Sequence, residues 1–321
     1  MQITRRHALI AGLSLLPALR ATRQARAADA ANGEGRIRLK SGRHIGYAEY
    51  GNSSGVPVFY FHGTPGARTE AILIAEEAKV AGIRLVALER PGLGLSDYQP
   101  GRRILGWPAD VEEVADALGY AGTSFGVIGL SGGAPYALAC LKCIPQRLTQ
   151  VAVVSGHTPM NVPGAPRGSE DKLIESVRRR PRLALIGFNA AINQLHRQPD
   201  RFVERISERW ARSDRDLILC NAANKAALIA ILNAATRCGP DGVLTSIRLL
   251  GGPWGFQLSE LAGEMVTIWQ GGCDPTAPPA MGHFFQRQMP GSHLTIDPRA
   301  AHLTMAKWHA AEILGCFHLN P

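Results

Sequence analysis

The residues best suited to chemistry are two serines, each at the centre of a Gly-x-Ser-x-Gly pentapeptide. Ser131 follows an apolar segment that predicts a strand and precedes one that predicts a helix, whereas Ser53 lies between two predicted strands. A serine on a sharp strand-to-helix turn is exposed at the sheet edge, and the helix N-terminus behind it favours developing negative charge. The context therefore selects Ser131 as the candidate nucleophile and makes Ser53 a polar turn residue.

A serine hydroxyl needs a base to take its proton, and that base needs a carboxylate to orient it. Asp274 follows a predicted strand that ends near Trp269, and His302 lies in the loop after the last predicted strand. Loops that leave the carboxyl ends of parallel strands meet at the edge where α/β sheets bind ligands. We therefore predict that Ser131, Asp274 and His302 form a catalytic triad.

Other polar residues in this half of the chain are weaker candidates. His293 begins the last predicted strand, where its side chain is expected to point into packing, and Asp297 is interpreted as a loop acid. His157 is expected to line a pocket wall or the core. No histidine pair has metal-ligand spacing, so we predict that the chemistry needs neither a metal nor an organic cofactor.

An acyl-transfer site also needs two donors for the oxyanion. One candidate is the backbone N–H of Gly132, directly after the nucleophile. The other is the N–H of Thr64, in the His-Gly-Thr-Pro-Gly loop after a buried strand, because Pro65 has no N–H to donate. We predict that Thr64 and Gly132 form the oxyanion hole.

The elements that must position these residues alternate between strand and helix from residue 37 to about His157, and again from Met265 onward. This alternation predicts a mostly parallel sheet with helices on both faces. Residues 158–263 carry helical patterns, such as Val203, Ile206 and Trp210, but no convincing strand. The simplest architecture is one α/β domain, residues 28–157 and 264–321, interrupted by a helical cap of residues 158–263.

Taken together, these motifs resemble the α/β-hydrolase family, specifically its capped serine-hydrolase branch, over roughly residues 37–315. The motifs are residues 62–66, the Arg-Pro-Gly-Leu-Gly-Leu-Ser-Asp segment 90–97, the Ser131 turn, Asp274 and His302. The resemblance implies an eight-stranded, mostly parallel sheet with a helical cap after the sixth strand, and it implies the same roles for the triad and the oxyanion hole. A serine at position 131 argues against the epoxide-hydrolase and haloalkane-dehalogenase branches. Glu89 and Ala301 depart from the family pattern, which often has Asp and Gly there.

The N-terminus has the layout of an export signal. A basic head with Arg5 and Arg6 is followed by the apolar run 8–19 and a small-residue site at 25–27, so residues 1–27 resemble a twin-arginine signal. The alternatives are an organelle transit peptide and a wrongly assigned start site. This segment holds five of the 35 basic residues, and the remaining 30 exceed the 26 acidic residues by only four. The sequence pI of about 9.6 therefore does not indicate a nucleic-acid partner.

Six cysteines do not form a dense disulfide framework. Cys140 and Cys143 are expected to pack in the core, and a bridge between Cys220 and Cys238 is left open.

The sequence predicts an exported enzyme of the bacterial periplasm or exterior, with a small-molecule substrate and no stable membrane span after signal cleavage. It would cleave an ester, amide or related acyl bond through an acyl-enzyme. The same triad also fits a cofactor-free haloperoxidase, a carbon–carbon bond hydrolase or an aminopeptidase, and acyl transfer if water is excluded. Outside enzymes, a ligand-binding receptor on the same fold is the alternative.

Overall fold

The computed structural model describes residues 33–318, so the predicted export signal lies outside the described residues. Eight strands form one sheet in the order β1-β2-β4-β3-β5-β6-β7-β8, in which β1 pairs antiparallel with β2, β2 antiparallel with β4, and all other neighbours run parallel. The strands are β1 Gly33–Arg38, β2 His44–Gly51, β3 Val56–Phe61, β4 Ile83–Leu88, β5 Phe125–Leu130, β6 Leu148–Val154, β7 Val266–Gly271 and β8 His293–Asp297.

The central strands are apolar along both faces because helices cover the sheet on each side. In β3, Phe59 and Phe61 point into one apolar cluster, whereas Val58 and Tyr60 point into the other. This period of two follows from the pleat of the strand, and burial on both sides explains why these strands are continuous apolar runs. The predicted mostly parallel α/β sheet is confirmed.

Twelve helices are described. Six belong to the α/β core: α1 Ala75–Val80, α2 Trp107–Ala115, α3 Ala134–Cys143, α10 Pro279–Gln288, α11 His302–Trp308 and α12 Ala310–Gly315. Six others lie between β6 and β7: α4 Asp171–Arg179, α5 Pro181–Arg197, α6 Pro199–Ser207, α7 Arg212–Leu219, α8 Ala222–Ala235 and α9 Asp241–Leu250. A helical insertion after the sixth strand is therefore present, as predicted.

The inserted helices have a small apolar cluster of their own and also pack on the core. Leu195, Val203, Ile218 and Leu232 form that cluster. Helices α4 and α9 differ, because Ile174 and Val177 of α4 and Val243 of α9 join the main core cluster beneath the cap. The cap is thus attached to the core through these helices as well as through its two connecting loops.

Several predicted element bounds were wrong. Strand β1 begins at Gly33 and not at Ile37, because backbone pairing with β2 extends the edge strand without an apolar pattern. The sequence pattern predicts a helix over residues 70–80, but the structure has a 3₁₀ turn there, Arg68–Ile74, followed by α1. The pattern also predicts a closing helix over residues 304–314, which in the structure begins two residues earlier, at His302, and breaks at His309 into α11 and α12.

The described cysteines are all free, including Cys220 and Cys238. Cys140 is buried as expected, but Cys143 is exposed, so the prediction that both pack in the core was wrong for Cys143. Within residues 33–318, no single helix is long and apolar enough to cross a membrane. Helices α7 and α8 meet the length and composition criteria only as a pair, bent by 96°.

Candidate active site

The Ser131 turn is tightly packed. Ser131 directly follows β5, has a φ of 52°, and begins a 3₁₀ turn that leads into α3. This φ is unfavourable for a residue with a side chain and is typical of strained positions at functional sites. A Cβ at Gly129 would lie 2.7 Å from the Gly133 carbonyl oxygen, and a Cβ at Gly133 would overlap the Phe61 carbonyl. Gly129 lets the turn fold tightly against its own strand, and Gly133 lets it approach β3, which holds Ser131 at the carboxyl end of the sheet.

The loop after β3 lies directly beside this turn. A Cβ added to Gly63 would be 3.5 Å from Ser131 Cβ, and one added to Gly132 would be 3.4 Å from the Thr64 backbone nitrogen. The two residues predicted to supply oxyanion donors, Thr64 and Gly132, are therefore neighbours, and both flank Ser131. The structure brings these three sequence-predicted residues together.

A buried arginine holds this loop. The Arg90 guanidinium donates to the carbonyl oxygens of His62 and Gly63, the latter at 2.6 Å, and to Thr64 Oγ1 at 2.8 Å. Its side chain is fully buried and lies 4.9 Å from the centroid of the Tyr136 ring. Burial lowers the pKa of Arg90 to about 10, which still leaves the guanidinium charged at neutral pH. Arg90 thus fixes the carbonyl-rich side of the loop that carries the Thr64 amide.

The residues that follow Arg90 fold back against the side chain of Glu89. The buried Glu89 carboxylate accepts from the Leu95 N–H at 2.6 Å and from Arg68 Nη1 at 2.8 Å. Gly94 has a φ of 53°, and a Cβ there would overlap the Glu89 carboxylate. Burial raises the pKa of Glu89, against the lowering effect of Arg68. The departure from the family pattern at position 89 is therefore accommodated by a glycine and a paired arginine.

His302 and Asp274 are in direct contact. The His302 Nδ1 lies 2.7 Å from Asp274 Oδ2, while Asp274 Oδ1 accepts from the N–H groups of Thr276 at 2.8 Å and Ala277 at 3.0 Å. Ser155 Oγ donates to the His302 carbonyl at 2.9 Å. With both Asp274 oxygens engaged, the carboxylate is fixed and directs the Nδ1–H tautomer, so that Nε2 is the free acceptor.

The electrostatics favour the protonated form of His302. Burial lowers the pKa of this imidazole, but Asp274, Asp214 and Glu170 together outweigh that effect and raise the pKa to about 9. Ala301, where the family often has glycine, has a φ of −123° and needs no left-handed backbone. The alanine therefore does not strain the loop that carries the base.

A residue of the inserted helical cap, Asp214, binds the N-terminus of helix α11, which begins at His302. The buried Asp214, on α7, accepts from the N–H groups of Leu303 at 3.1 Å and Thr304 at 2.8 Å, and from Thr304 Oγ1 at 2.8 Å. This carboxylate does for α11 what an N-terminal capping residue does for its own helix. It lies next to the free N–H groups of the first turn, where the helix dipole favours a negative charge.

Two further carboxylates lie near the triad. Glu70 is buried, accepts from Tyr60 Oη at 2.9 Å and from the Gly63 N–H at 2.7 Å, and has its pKa raised by burial. Glu170 lies beside the Asp274 loop, since its neighbour Ser169 donates to the Pro275 carbonyl at 2.8 Å. Burial also raises the pKa of Glu170, although His302 and His157 lower it in part.

Sequence reasoning missed Arg90, Asp214, Glu70 and Glu170 as parts of the site. In the sequence, Arg90 stands out only as the first residue of the Arg-Pro-Gly segment. The Ser-Asp sequence at Asp214 is a local signal for the start of its own helix, α7, and nothing in it indicates a partner about ninety residues away. Glu70 and Glu170 lie in ordinary helical contexts without a sequence signal.

The weaker candidates have other partners. His293 is exposed at the start of β8, so the expectation that it points into packing was wrong. Asp297 pairs with His309 at 2.9 Å and accepts the Arg299 N–H at 2.8 Å, which gives it a structural role in its loop. His157 is buried, with Nε2 3.0 Å from Asp171 Oδ1. In the described part of the chain, no group of three or more His, Cys, Asp or Glu side chains has the arrangement of a metal site.

One contact of a closed triad is absent. Among residues 33–318, no hydrogen bond joins the Ser131 hydroxyl to His302. Catalytic hydrogen bonds are often long or misaligned without substrate and tighten in the Michaelis complex. The Ser131–His302 contact is therefore a prediction for the substrate-bound protein.

A sequence model of the alpha/beta hydrolase family matches residues 58–312, which span the Ser131 turn, the cap, Asp274 and His302. The chain belongs to the α/β-hydrolase family. Membership supports a hydrolase function in general and leaves the bond that this α/β hydrolase cleaves open. No curated protein sequence matches the chain.

Solved structures share this fold at low sequence identity. An esterase from Thermogutta terrifontis is 20% identical with a TM-score of 0.63, over 89% of this chain and 97% of that chain. A bromoperoxidase from Bacillus anthracis is 19% identical with a TM-score of 0.65, over 89% and 98%. A bacterial membrane phospholipase A is 15% identical with a TM-score of 0.64, over 95% and 92%. At these identities the likeness concerns the fold alone.

Proposed function

We propose that this α/β hydrolase cleaves an ester, amide or related acyl bond of a small molecule through an acyl-enzyme on Ser131. The observation that carries the proposal is the His302–Asp274 pair, 2.7 Å apart, on the same sheet edge as a serine held at a φ of 52°. Strain at the serine and an oriented imidazole are what a serine nucleophile needs, and neither has another evident purpose.

In the proposed reaction, His302 Nε2 takes the Ser131 hydroxyl proton while Oγ attacks the carbonyl carbon. The Thr64 and Gly132 amides stabilise the oxyanion, and Asp274 stabilises the imidazolium through Nδ1–H. As the tetrahedral intermediate collapses, His302 returns the proton to the leaving alcohol or amine. Water then attacks the acyl-enzyme, again losing a proton to His302, and the acid leaves with Ser131 reprotonated.

The nucleophile is tested with a fluorophosphonate probe on wild type, Ser131→Ala and Ser53→Ala. Ser53→Ala is the matched control because it changes the other Gly-x-Ser-x-Gly serine. Labelling is expected to disappear only in Ser131→Ala. Labelling that persists in that variant would refute the assignment.

A substrate screen tests the reaction class. Activity on simple esters or amides is expected, and it should be lost in Ser131→Ala and His302→Ala. Halide oxidation with peroxide, cleavage of a carbon–carbon bond, or a strict need for a free substrate amine would instead favour the haloperoxidase, the carbon–carbon hydrolase or the aminopeptidase. Ligand binding without any turnover would favour a receptor.

We also propose export to the periplasm or exterior through residues 1–27. Support comes from the order of the basic, apolar and small-residue segments in the sequence. In a bacterial host, replacing Arg5 and Arg6 together by lysine is expected to leave the precursor inside the cell. Unchanged export of that variant would contradict the twin-arginine assignment.

A further inference from the structure

The cap carries an exposed ridge that is both apolar and strongly basic. We call the exposed side chains of residues 172–186, on α4, α5 and their connection, the cap ridge. Four of the seven large apolar side chains that are exposed among the described residues lie here: Leu173 at 47%, Leu183 at 61%, Leu185 at 38% and Ile186 at 67%. Concentrating exposed apolar surface in one short segment is uncommon on a soluble monomer and marks an interaction site.

The apolar residues of α5 form a stripe. Leu183, Ile186 and Ala190 are spaced three and four residues apart, so they share one side of the helix, and all are exposed. The opposite side, with Leu195, packs into the cap's own cluster. The outward stripe therefore has no role in holding the cap together.

The charges on the cap ridge are almost all positive. Lys172, Arg178, Arg179, Arg180 and Arg182 are exposed, and Glu175 is the only acid in the segment. The one ion pair described here joins Arg179 to Glu175 at 3.9 Å. Arg182 lies in the first turn of α5, where the helix dipole disfavours cations, so it does not serve helix stability. Arg180 is the residue between α4 and α5.

We propose that the cap ridge docks on an anionic lipid bilayer, with the α5 stripe in the interface and the arginines on acidic headgroups. An exposed apolar stripe between cations is the pattern of a helix that lies in the plane of a membrane surface. Charge argues against the two other occupants that this chain could supply, which are a second copy of the protein and its own N-terminal segment. A second copy would bring a like-charged ridge, and the first 27 residues contain five arginines and no acid.

The test measures co-sedimentation of the full chain with vesicles of phosphatidylglycerol and phosphatidylcholine in equal parts, and with phosphatidylcholine alone. The wild type is expected to bind the anionic vesicles far better, and salt should weaken this binding. Arg180→Gln with Arg182→Gln should weaken it by about fivefold for each arginine. Leu183→Asn with Ile186→Asn should weaken it by about tenfold or more.

Each double variant of the cap ridge has a matched control at the surface of the α/β domain. Arg38→Gln with Lys40→Gln removes two exposed cations from the β1 end, and Val80→Asn removes an apolar side chain that is 89% exposed. These controls should bind like wild type. All variants keep residues 1–32, so membrane affinity of the N-terminal segment is common to them. Because the changed side chains are exposed, the thermal unfolding midpoints should stay within a few degrees of wild type.

Three results would overturn the proposal. The first is equal binding by wild type and both ridge variants, which would assign membrane affinity to another surface. The second is that the wild type does not bind anionic vesicles. If it then self-associates and Leu183→Asn abolishes the self-association, the ridge is a contact between copies. The third is that the wild type binds a soluble acidic protein but not the vesicles, which would make a protein the partner of the ridge. None of these outcomes depends on Ser131 or on the hydrolase assignment.

Discussion

At the scale of single residues, the site depends on charges that are held away from water. His302 is the clearest case, because three carboxylates raise the pKa of its imidazole to about 9 against the opposing effect of burial. A general base works only when it is neutral, so this shift sets the pH range of the reaction.

The first prediction is the pH dependence of activity. With Asp274, Asp214 and Glu170 nearby, His302 is mostly protonated at pH 7, and kcat/KM should rise with pH through an apparent pKa near 9. Glu170→Gln removes one of the negative charges and should move the rising limb to lower pH. Initial rates on a soluble ester across pH 6 to 10 provide the measurement. A profile that is already flat by pH 7 in wild type would contradict the shift.

The second prediction concerns Arg90. Arg90→Lys keeps a positive charge but loses the fork that bridges the His62 and Gly63 carbonyls and Thr64 Oγ1. We expect kcat to fall by about tenfold to a hundredfold, because the Thr64 donor is no longer held in place. KM should change much less. Arg36→Lys, at an exposed side chain, is the control and should behave like wild type.

At the scale of elements, the candidate active site is formed by residues at the ends of strands and by one contact from the helical cap. Ser131 follows β5, Asp274 follows β7, and His302 begins the helix after β8. Asp214 then connects the cap helix α7 to the first turn of α11 through three hydrogen bonds. The cap therefore contacts the helix that carries the base.

The third prediction separates two effects of Asp214. Asp214→Ala removes the helix cap and should cost about 1 kcal/mol of stability. Asp214→Asn keeps an oxygen acceptor but removes the charge, so it should keep most of that stability while lowering the pKa of His302. Denaturant unfolding and the pH profile of kcat/KM measure the two effects.

Asp216→Asn, an exposed position on the same helix, is the control for both measurements on Asp214. If Asp214→Asn leaves the pH profile where wild type has it, the electrostatic part of this interpretation is wrong.

At the scale of the whole molecule, protonation and stability are linked. The folded pKa of His302 is about 9 and the usual unfolded value is about 6.5, so between these values the folded state binds more protons than the unfolded chain. The stabilisation from this group is complete below pH 6.5 and is lost as the pH rises toward 9. His62, whose pKa is lowered by burial, acts in the opposite direction, but its unfolded imidazole loses its proton just above pH 6.5, so this effect fades by about pH 7.5.

The fourth prediction follows from this linkage. The free energy of unfolding should decrease as the pH rises from 6.5 to 8, and His302→Asn should flatten that decrease. Urea unfolding at several pH values measures both curves. A wild-type curve that rises over this interval would contradict the sign of the shift.

The sheet, the insertion and the candidate triad could be predicted from the sequence alone. Those features follow from local apolar runs, from Gly and Pro punctuation, and from the order of Ser131, Asp274 and His302, all of which are written into short segments. That Arg90 holds the loop of Thr64 and that Asp214 caps α11 is visible only in the folded chain. Both depend on contacts between segments far apart in the chain, and no local pattern encodes which distant backbone group a buried charge will meet. The exposure of the cap ridge could not be predicted from the sequence either. The apolar pattern of α5 indicates a helix, but only the packing shows which of its sides is left exposed.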